Sequence, residues 1–293
     1  MRLFFTIYFL LLTSCCFAQT GKEAIHVGGW LKAGLECYFS DQCTMDQLTT
    51  QRYAHYKSDA MNTDMNWGMS FDAFEKKWNH IYNTKQAGTY EGFLIPLQDW
   101  HHITVNCRFY SHFGDVIWMS VLLTEATTRQ QFRRYVKLMK EKGAFRINDV
   151  WEAPIRQNEL SGDFNGDGKG DTLRQVFTSL LDGAPLLIDT ALDTDRLIAK
   201  VVSKKPLLQL VSEGLAPLVL NKNNFYVLGL AYWKNMGDTN DKPGDELAVI
   251  IRAADYSSIN RLLVYTYYGN RWKMISEKEI REEEIPADGS LKW

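Results

Sequence analysis

Between residues 28 and 84 the apolar positions recur with the 3.6-residue period of an α-helix. Thr44 and Gln47 match a capping box at the start of one helix, and Ser70 can cap a second. The apolar face of the first comprises Met45, Leu48, Tyr53, Tyr56 and Ala60, and that of the second Phe71, Phe74, Trp78, Ile81 and Tyr82. These stripes predict a helical layer that packs against a core.

After Gly88 the pattern changes to that of β-strands. We predict five strands, the last two as a hairpin: Tyr90–Leu97, Ile103–Tyr110, Val116–Leu123, Tyr135–Met139 and Phe145–Val150. Residues 131–140 also have the propensity for a helix, so both interpretations stay open there. Helices followed by strands predict an α+β domain over residues 25–153, with the helices packed on a curved antiparallel sheet.

Pro154 lies in a predicted linker. Residues 155–293 are predicted to form a second domain that consists mostly of β-strands and belongs to the all-β class. Its clearest strands are Leu247–Arg252, Arg261–Tyr268 and Trp272–Ser276. Residues 173–181 also fit helical spacing, which would give an EF-hand-like helix. Because Arg174 stands where an EF-hand uses a bidentate Glu, we predict a strand instead.

Four short motifs accompany this order of elements in the first domain. They are Phe-Glu-Lys-Lys-Trp at 74–78, Gly-Phe-Leu-Ile at 92–95, Gln-Asp-Trp at 98–100 and Ile-Asn-Asp-Val at 147–150. Residues 28–152 resemble, in these motifs, a family of uncharacterised secreted bacterial domains. The resemblance implies the cone-shaped fold shared by nuclear transport factor and SnoaL-like proteins. Since that fold hosts both enzymes and binding modules, it implies no particular activity.

The N-terminus is typical of a signal peptide, because Arg2 precedes the apolar run Leu3–Leu12 and small and polar residues follow. The run is too short to span a bilayer as a mature helix. Ordinary cleavage would remove residues 1–19. Alternatively, residues 12–15 resemble a lipobox whose Cys15 would be lipidated. Either route predicts an extracytoplasmic protein, periplasmic or secreted, and only the second adds a lipid anchor at the outer membrane.

Oxygen-bearing side chains recur at every second position of the first loop, which we define as residues 163–171. Its predicted ligands are the side-chain oxygens of Asp163, Asn165, Asp167 and Asp171 and the backbone carbonyl of Lys169. Calcium prefers such a set of oxygen ligands, and Gly168 stands at the sixth position, where a sharp turn favours glycine. We therefore predict a structural Ca²⁺ site, with a metal-free turn as the alternative.

A second loop, residues 237–246, repeats this outline 75 positions further on, from Asp163 to Asp238. Its corresponding oxygen donors are Asp238, Asn240 and Asp245. Lys242 and Pro243 replace the third acid and the glycine, so a turn without metal is favoured there. The two loops resemble those of FG-GAP and VCBS-type proteins. That resemblance implies calcium loops that connect the strands of propeller-like or sandwich-like sheets.

Composition and charge exclude some partners and limit the disulfides. Apolar residues make up 45% of the 293 residues, which is close to the average for globular proteins. The net charge of −2 does not indicate the basic surface that nucleic-acid binding requires. Without the signal segment only Cys37, Cys43 and Cys107 remain, so at most one intramolecular disulfide forms among them. The sequence leaves the pairing open, and three buried reduced cysteines are the alternative.

Candidate chemistry elsewhere is sparse. One of His101 and His102, which point to opposite faces of a strand, could form an acid/base pair with Asp99 or His112, but surface or hydrogen-bonded histidines are the favoured interpretation. We predict no catalytic residue. The predicted function is that of an exported, non-catalytic binding or scaffold protein with a calcium-stabilised β domain and a protein or small-ligand partner in the cell envelope. The alternatives are a small-molecule enzyme that uses the first domain's cavity and a periplasmic inhibitor or immunity-type protein.

Overall fold

The computed structural model describes residues 25–65, 67–84, 93–95, 100–155, 159–188, 191–222, 226–240, 242–255 and 257–285. The chain divides into two compact units, an N-terminal unit Met1–Ile155 and a C-terminal unit Arg156–Trp293. The predicted signal peptide and the predicted lipidation site Cys15 lie outside the described residues.

Four helices come first among the described residues of the N-terminal unit. Helix α1 covers residues 25–39, and it is followed by α2 (Met45–Leu48), α3 (Gln51–Met61) and α4 (Phe71–Trp78). The predicted caps are confirmed: Thr44 N–H donates to Gln47 Oε1 at 2.9 Å, and Ala73 N–H donates to Ser70 Oγ at 3.4 Å. The stripe predicted as one helix is two, because Thr49 and Thr50 are extended between α2 and α3.

A four-stranded antiparallel sheet follows the helices in sequence order. Its strands are β1 (Ile103–Phe113), β2 (Val116–Glu125), β3 (Gln131–Glu141) and β4 (Ala144–Ala153). The strand interpretation of residues 131–140 is therefore confirmed. Of the predicted strand Tyr90–Leu97, only residues 93–95 are described, and they are not in a strand.

The helices and one face of this sheet share a hydrophobic core. Alternate strand residues point into it, as expected for the two-residue period of a strand. Fully buried members include Leu31, Leu35, Phe74, Val121, Val136, Leu138 and Ile147. The core fixes the side of the sheet on which the helical segments lie.

The one described disulfide joins Cys37, near the end of α1, to Cys43, with Cα atoms 5.3 Å apart. It closes the turn between α1 and α2, where Cys43 N–H also donates to the Cys37 carbonyl at 3.3 Å. Cys107, on β1, stays a thiol, and burial raises its pKa to about 12. The sequence had left this pairing open.

The C-terminal unit contains two four-stranded antiparallel sheets, each in sequence order. The first comprises β5 (Glu159–Gly162), β6 (Asp171–Ser179), β7 (Pro206–Val211) and β8 (Leu218–Val219). The second comprises β9 (Val227–Asn235), β10 (Leu247–Ala253), β11 (Ile259–Tyr267) and β12 (Trp272–Arg281), followed by a short 3₁₀-helix, Glu282–Glu284. Residues 173–179 form a strand as predicted. Helix α5 (Thr194–Ser203), with Asp193 as its cap, was not predicted.

Buried side chains from both sheets of this unit form one hydrophobic cluster. It includes Leu173, Phe177, Leu208 and Leu210 from the first sheet and Leu247, Val249 and Leu263 from the second. Each of the two loops defined above connects the first strand of its sheet to the second strand. The two loops therefore occupy equivalent places in two similar sheets.

The predicted α+β class, with a cone-like first domain, is wrong. Across the described residues the protein is mostly β, with twelve strands in three antiparallel sheets against five helices. The helical pattern between residues 45 and 61 overstated the helical layer. Thr49 leaves the helix and forms a parallel bridge with Ile147 on β4, so the helices are short.

Candidate metal centre at two interlocked loops

The first loop is coiled by its own side chains, which accept hydrogen bonds from backbone groups further along. Asp167 N–H donates to Asp163 Oδ1 at 3.1 Å and to Asn165 Oδ1 at 3.0 Å. Gly168 N–H donates to Asp163 Oδ2 at 2.9 Å, and Lys169 N–H to Asp167 Oδ1 at 2.8 Å. These bonds direct three of the predicted ligand side chains toward the inside of the loop. An ionised carboxylate has further lone pairs, so the bonds still leave room for a cation.

Asp171 closes the loop at the start of β6. Its Oδ2 accepts the Phe164 N–H at 3.0 Å. Burial raises the pKa of Asp171, hydrogen bonds from Phe164 and Asn165 oppose this, and the charges of Asp167 and Asp163 raise it further. The acids are thus close enough to repel one another, and a divalent cation would relieve that repulsion.

Phe164 anchors the loop to the core of the C-terminal unit. Its side chain is fully buried, and its ring lies 5.9 Å from that of Trp272. A buried aromatic residue between two ligand positions fixes the loop on its sheet. The polar residues on either side of Phe164 therefore face away from the core.

In the second loop, hydrogen-bond donors are paired with a carboxylate of the same loop. Glu246 is completely buried, and its Oε2 accepts Thr239 N–H at 2.6 Å and Thr239 Oγ1–H at 2.8 Å. The side-chain amide of Asn240 donates to Glu246 Oε1, and Asn240 Oδ1 accepts Lys242 N–H at 2.7 Å. Asp238 is exposed. Sequence reasoning missed Glu246, although an acid directly before the buried strand residue Leu247 was visible.

Asp245 belongs to the second loop, but its side chain and its backbone N–H form hydrogen bonds with the first loop. Its Oδ2 accepts Asp163 N–H at 2.9 Å, and its own N–H donates to the Asp163 carbonyl at 2.8 Å. Asn235 donates from Nδ2 to the same Asp245 oxygen at 2.7 Å and to the Ser161 carbonyl at 3.2 Å. Asp163, the first predicted ligand, is therefore positioned by the other loop.

Two glycines let the loop backbones touch. A Cβ atom at Gly166 would lie 2.6 Å from Pro243, and one at Gly244 would lie 2.6 Å from the Phe164 carbonyl oxygen. Both have positive φ, at 70° and 108°, where a side chain is strained in any case. These positions therefore require glycine on two separate grounds.

The oxygen ligands of the first loop are of the type that calcium binds. In the described part of the chain, no three His, Cys, Asp or Glu side chains are grouped to hold a metal ion. A site in the first loop would therefore also draw on the Asn165 amide oxygen and the Lys169 carbonyl. Oxygen-only ligands of this kind are those that Ca²⁺ prefers, and the ion would supply charge neutralisation, not chemistry.

The predicted acid/base residues are not brought together among the described residues. His101, His102 and His112 are exposed, and Asp99 lies outside the described part of the structure. None of these three exposed histidine side chains takes part in the hydrogen bonds of the two loops described above.

No family model, curated protein or solved structure matches this chain. The resemblances to secreted bacterial domains and to FG-GAP or VCBS-type loops therefore stay predictions. None of the helices in the described residues has the length and apolar character needed to cross a membrane.

Replacing Asp171 with Asn should change stability in opposite directions with and without calcium. Without the ion, the amide removes a repulsive charge beside Asp163 and Asp167 and still accepts the Phe164 N–H, so stability rises. With millimolar calcium, the loss of one ligand charge lowers it. Urea titrations in chelator and in calcium measure both. Asp238→Asn is the matched control, and a shift of the same sign in both buffers would contradict the calcium site.

Proposed function

We propose that the protein is an exported, non-catalytic binding or scaffold protein whose C-terminal unit is stabilised by calcium in the first loop. The observation that carries this proposal is the interlocking of the loops. Asp163, Asn165 and Asp167 present their oxygens inside one coil, and the second loop holds that coil in place through Asp245. These hydrogen bonds hold several oxygen ligands close together in one coil, which is the arrangement that calcium coordination requires.

Export is supported by the disulfide and by the expected use of calcium. Cys37 and Cys43 form a disulfide, which persists in oxidising compartments. Calcium outside the cytoplasm is abundant enough to fill sites with dissociation constants of about 10⁻⁴ to 10⁻³ M. Both features agree with the signal segment predicted at residues 1–19. Lipidation of Cys15 would add a membrane anchor.

A binding role is supported by a displayed tryptophan in the N-terminal unit. Trp67 lies in the connection between α3 and α4 with 78% of its surface exposed. Its Nε1–H donates to Asn62 Oδ1 at 3.1 Å, which holds the indole while its faces stay open to solvent. Met65, 51% exposed, lies two residues earlier. Tryptophan is enriched among the residues that dominate interface energies, so this connection suits a protein partner with an apolar pocket.

Calcium should raise the melting temperature of the wild-type chain. Binding to the folded state alone adds about 2.7 kcal/mol at a hundredfold excess over Kd. Asp163→Asn keeps only one of the two oxygens that accept the Asp167 and Gly168 N–H groups and removes a ligand charge, so most of the calcium-dependent shift should disappear. Asp238→Asn should retain it. Calorimetry with chelator and with millimolar calcium decides this, and an unchanged wild-type melting temperature would refute the calcium proposal.

Trp67→Ala should weaken the affinity for an envelope partner by about thirtyfold or more and lower its recovery, because truncating a hot-spot tryptophan costs about 2 kcal/mol or more. The measurement is affinity capture from a native envelope extract with quantitative mass spectrometry. Phe113→Ala removes another exposed aromatic side chain, 44% exposed, and serves as the control. Equal recovery of every captured protein by wild type and Trp67→Ala would contradict a binding role for this connection.

A further inference from the structure

The turn between β11 and β12 displays a tyrosine that has two lysines over its ring. Tyr268 is 50% exposed. The Nζ atom of Lys242 lies 5.6 Å from the centroid of this ring, and the Nζ atom of Lys273 lies 4.7 Å from it. Lys273 belongs to β12, whereas Lys242 comes from the second loop. Two separate elements therefore bring positive charges to one exposed aromatic ring.

A third cation lies at the end of the same turn. Arg271 is exposed, and its carbonyl accepts the Tyr268 N–H at 3.0 Å. We call Lys242, Tyr268, Arg271 and Lys273 the cationic cluster. None of the ion pairs among the described residues involves its three cations. Their like charges therefore repel one another without a carboxylate partner in the described part of the chain.

The backbone on both sides of the cluster has a defined conformation. Gly269 and Asn270 have positive φ values of 63° and 58°, as a two-residue type I′ hairpin turn requires. In the second loop, Lys242 N–H donates to Asn240 Oδ1 at 2.7 Å. The turn fixes the place of Tyr268, and the second loop fixes the backbone from which Lys242 reaches it.

The cluster gives a role to the residue in which the second loop departs from the first. Lys242 stands where the first loop has its third acid, Asp167. A lysine at this position disfavours a cation in the second loop, because calcium requires oxygen ligands and is repelled by an ammonium group. The same lysine adds positive charge at the Tyr268 ring. The substitution thus changes the charge of the ligand that this loop favours from positive to negative.

The chemistry of these side chains suits an oxyanion with more than one negative charge. The face of an aromatic ring attracts ammonium groups, so Tyr268 holds two of them near each other despite their repulsion. Lysine binds a phosphate oxygen as a point charge, and the arginine guanidinium can donate two parallel N–H bonds to one phosphate. A phosphate group would therefore offset the charges that the cluster gathers.

We propose that the cationic cluster binds a phosphate group, either free phosphate or the headgroup of an anionic phospholipid. The cluster is distinct from the predicted calcium ligands and from Trp67. The proposal therefore does not depend on calcium binding or on a protein partner.

The first test is a titration of the calcium-free full chain with inorganic phosphate. The ionic strength is kept constant with chloride, because salt screens exposed charges. The amide NMR signals of Gly269 and Asn270 report on the turn, and they should shift to saturation in the wild type.

Lysine variants locate the binding in this titration. Lys242→Gln and Lys273→Gln should each weaken the phosphate affinity about fivefold, which is the effect of one unit charge about 4 Å from the anion in water. Lys142→Gln is the matched control, because it removes an exposed lysine from the β3–β4 turn of the other unit. It should leave the affinity unchanged.

The second test distinguishes the two sources of phosphate. Cosedimentation of the same calcium-free chain with phosphatidylglycerol vesicles, compared with phosphatidylcholine vesicles, measures binding to an anionic headgroup. Binding to phosphatidylglycerol that falls in both lysine variants assigns a lipid headgroup, and saturable binding of inorganic phosphate alone assigns free phosphate. Binding of neither probe, or equal affinities in the wild type and both lysine variants, would overturn the proposal and leave the cluster with a structural role only.

Discussion

The C-terminal unit depends on the contact between its two loops. Asp163 and Asp245 exchange backbone and side-chain hydrogen bonds, and Asn235 joins the same Asp245 oxygen. Each loop connects the first two strands of a sheet, so this contact fixes where both sheets begin. Gly166 and Gly244 permit it, because any side chain at either position would collide with the other loop.

The two loops share a sequence outline, but their carboxylates are arranged differently. The first brings several carboxylates together: burial is the main cause of the raised pKa of Asp171, and the charges of Asp167 and Asp163 raise it further. The second places the buried Glu246 carboxylate among the Thr239 and Asn240 donors, so its hydrogen bonds are satisfied from within. Calcium dependence is therefore expected of one loop and not of the other.

Features encoded within a few residues were predictable from the sequence. The capping residues Thr44 and Ser70, the strands of the β3–β4 and β11–β12 hairpins and the outlines of both loops depend on local chemistry. Features that depend on distant partners were not predictable. The bridge from Thr49 to Ile147 separates α2 from α3, and Asp245 binds the opposite loop. The disulfide is local, but the sequence does not show that Cys43 rather than Cys107 pairs with Cys37. The fold class was inferred from the order of helices followed by strands, and it is wrong because strands dominate the described residues, with twelve strands against five helices.

The stoichiometry of calcium binding tests the central claim most directly. Equilibrium dialysis of the metal-free chain against increasing calcium counts the bound ions without depending on a change in stability. The asymmetry of the loops predicts one calcium ion per chain, lost in Asp163→Asn and retained in Asp238→Asn. No bound calcium in the wild type, or two ions of which one is lost in Asp238→Asn, would contradict it.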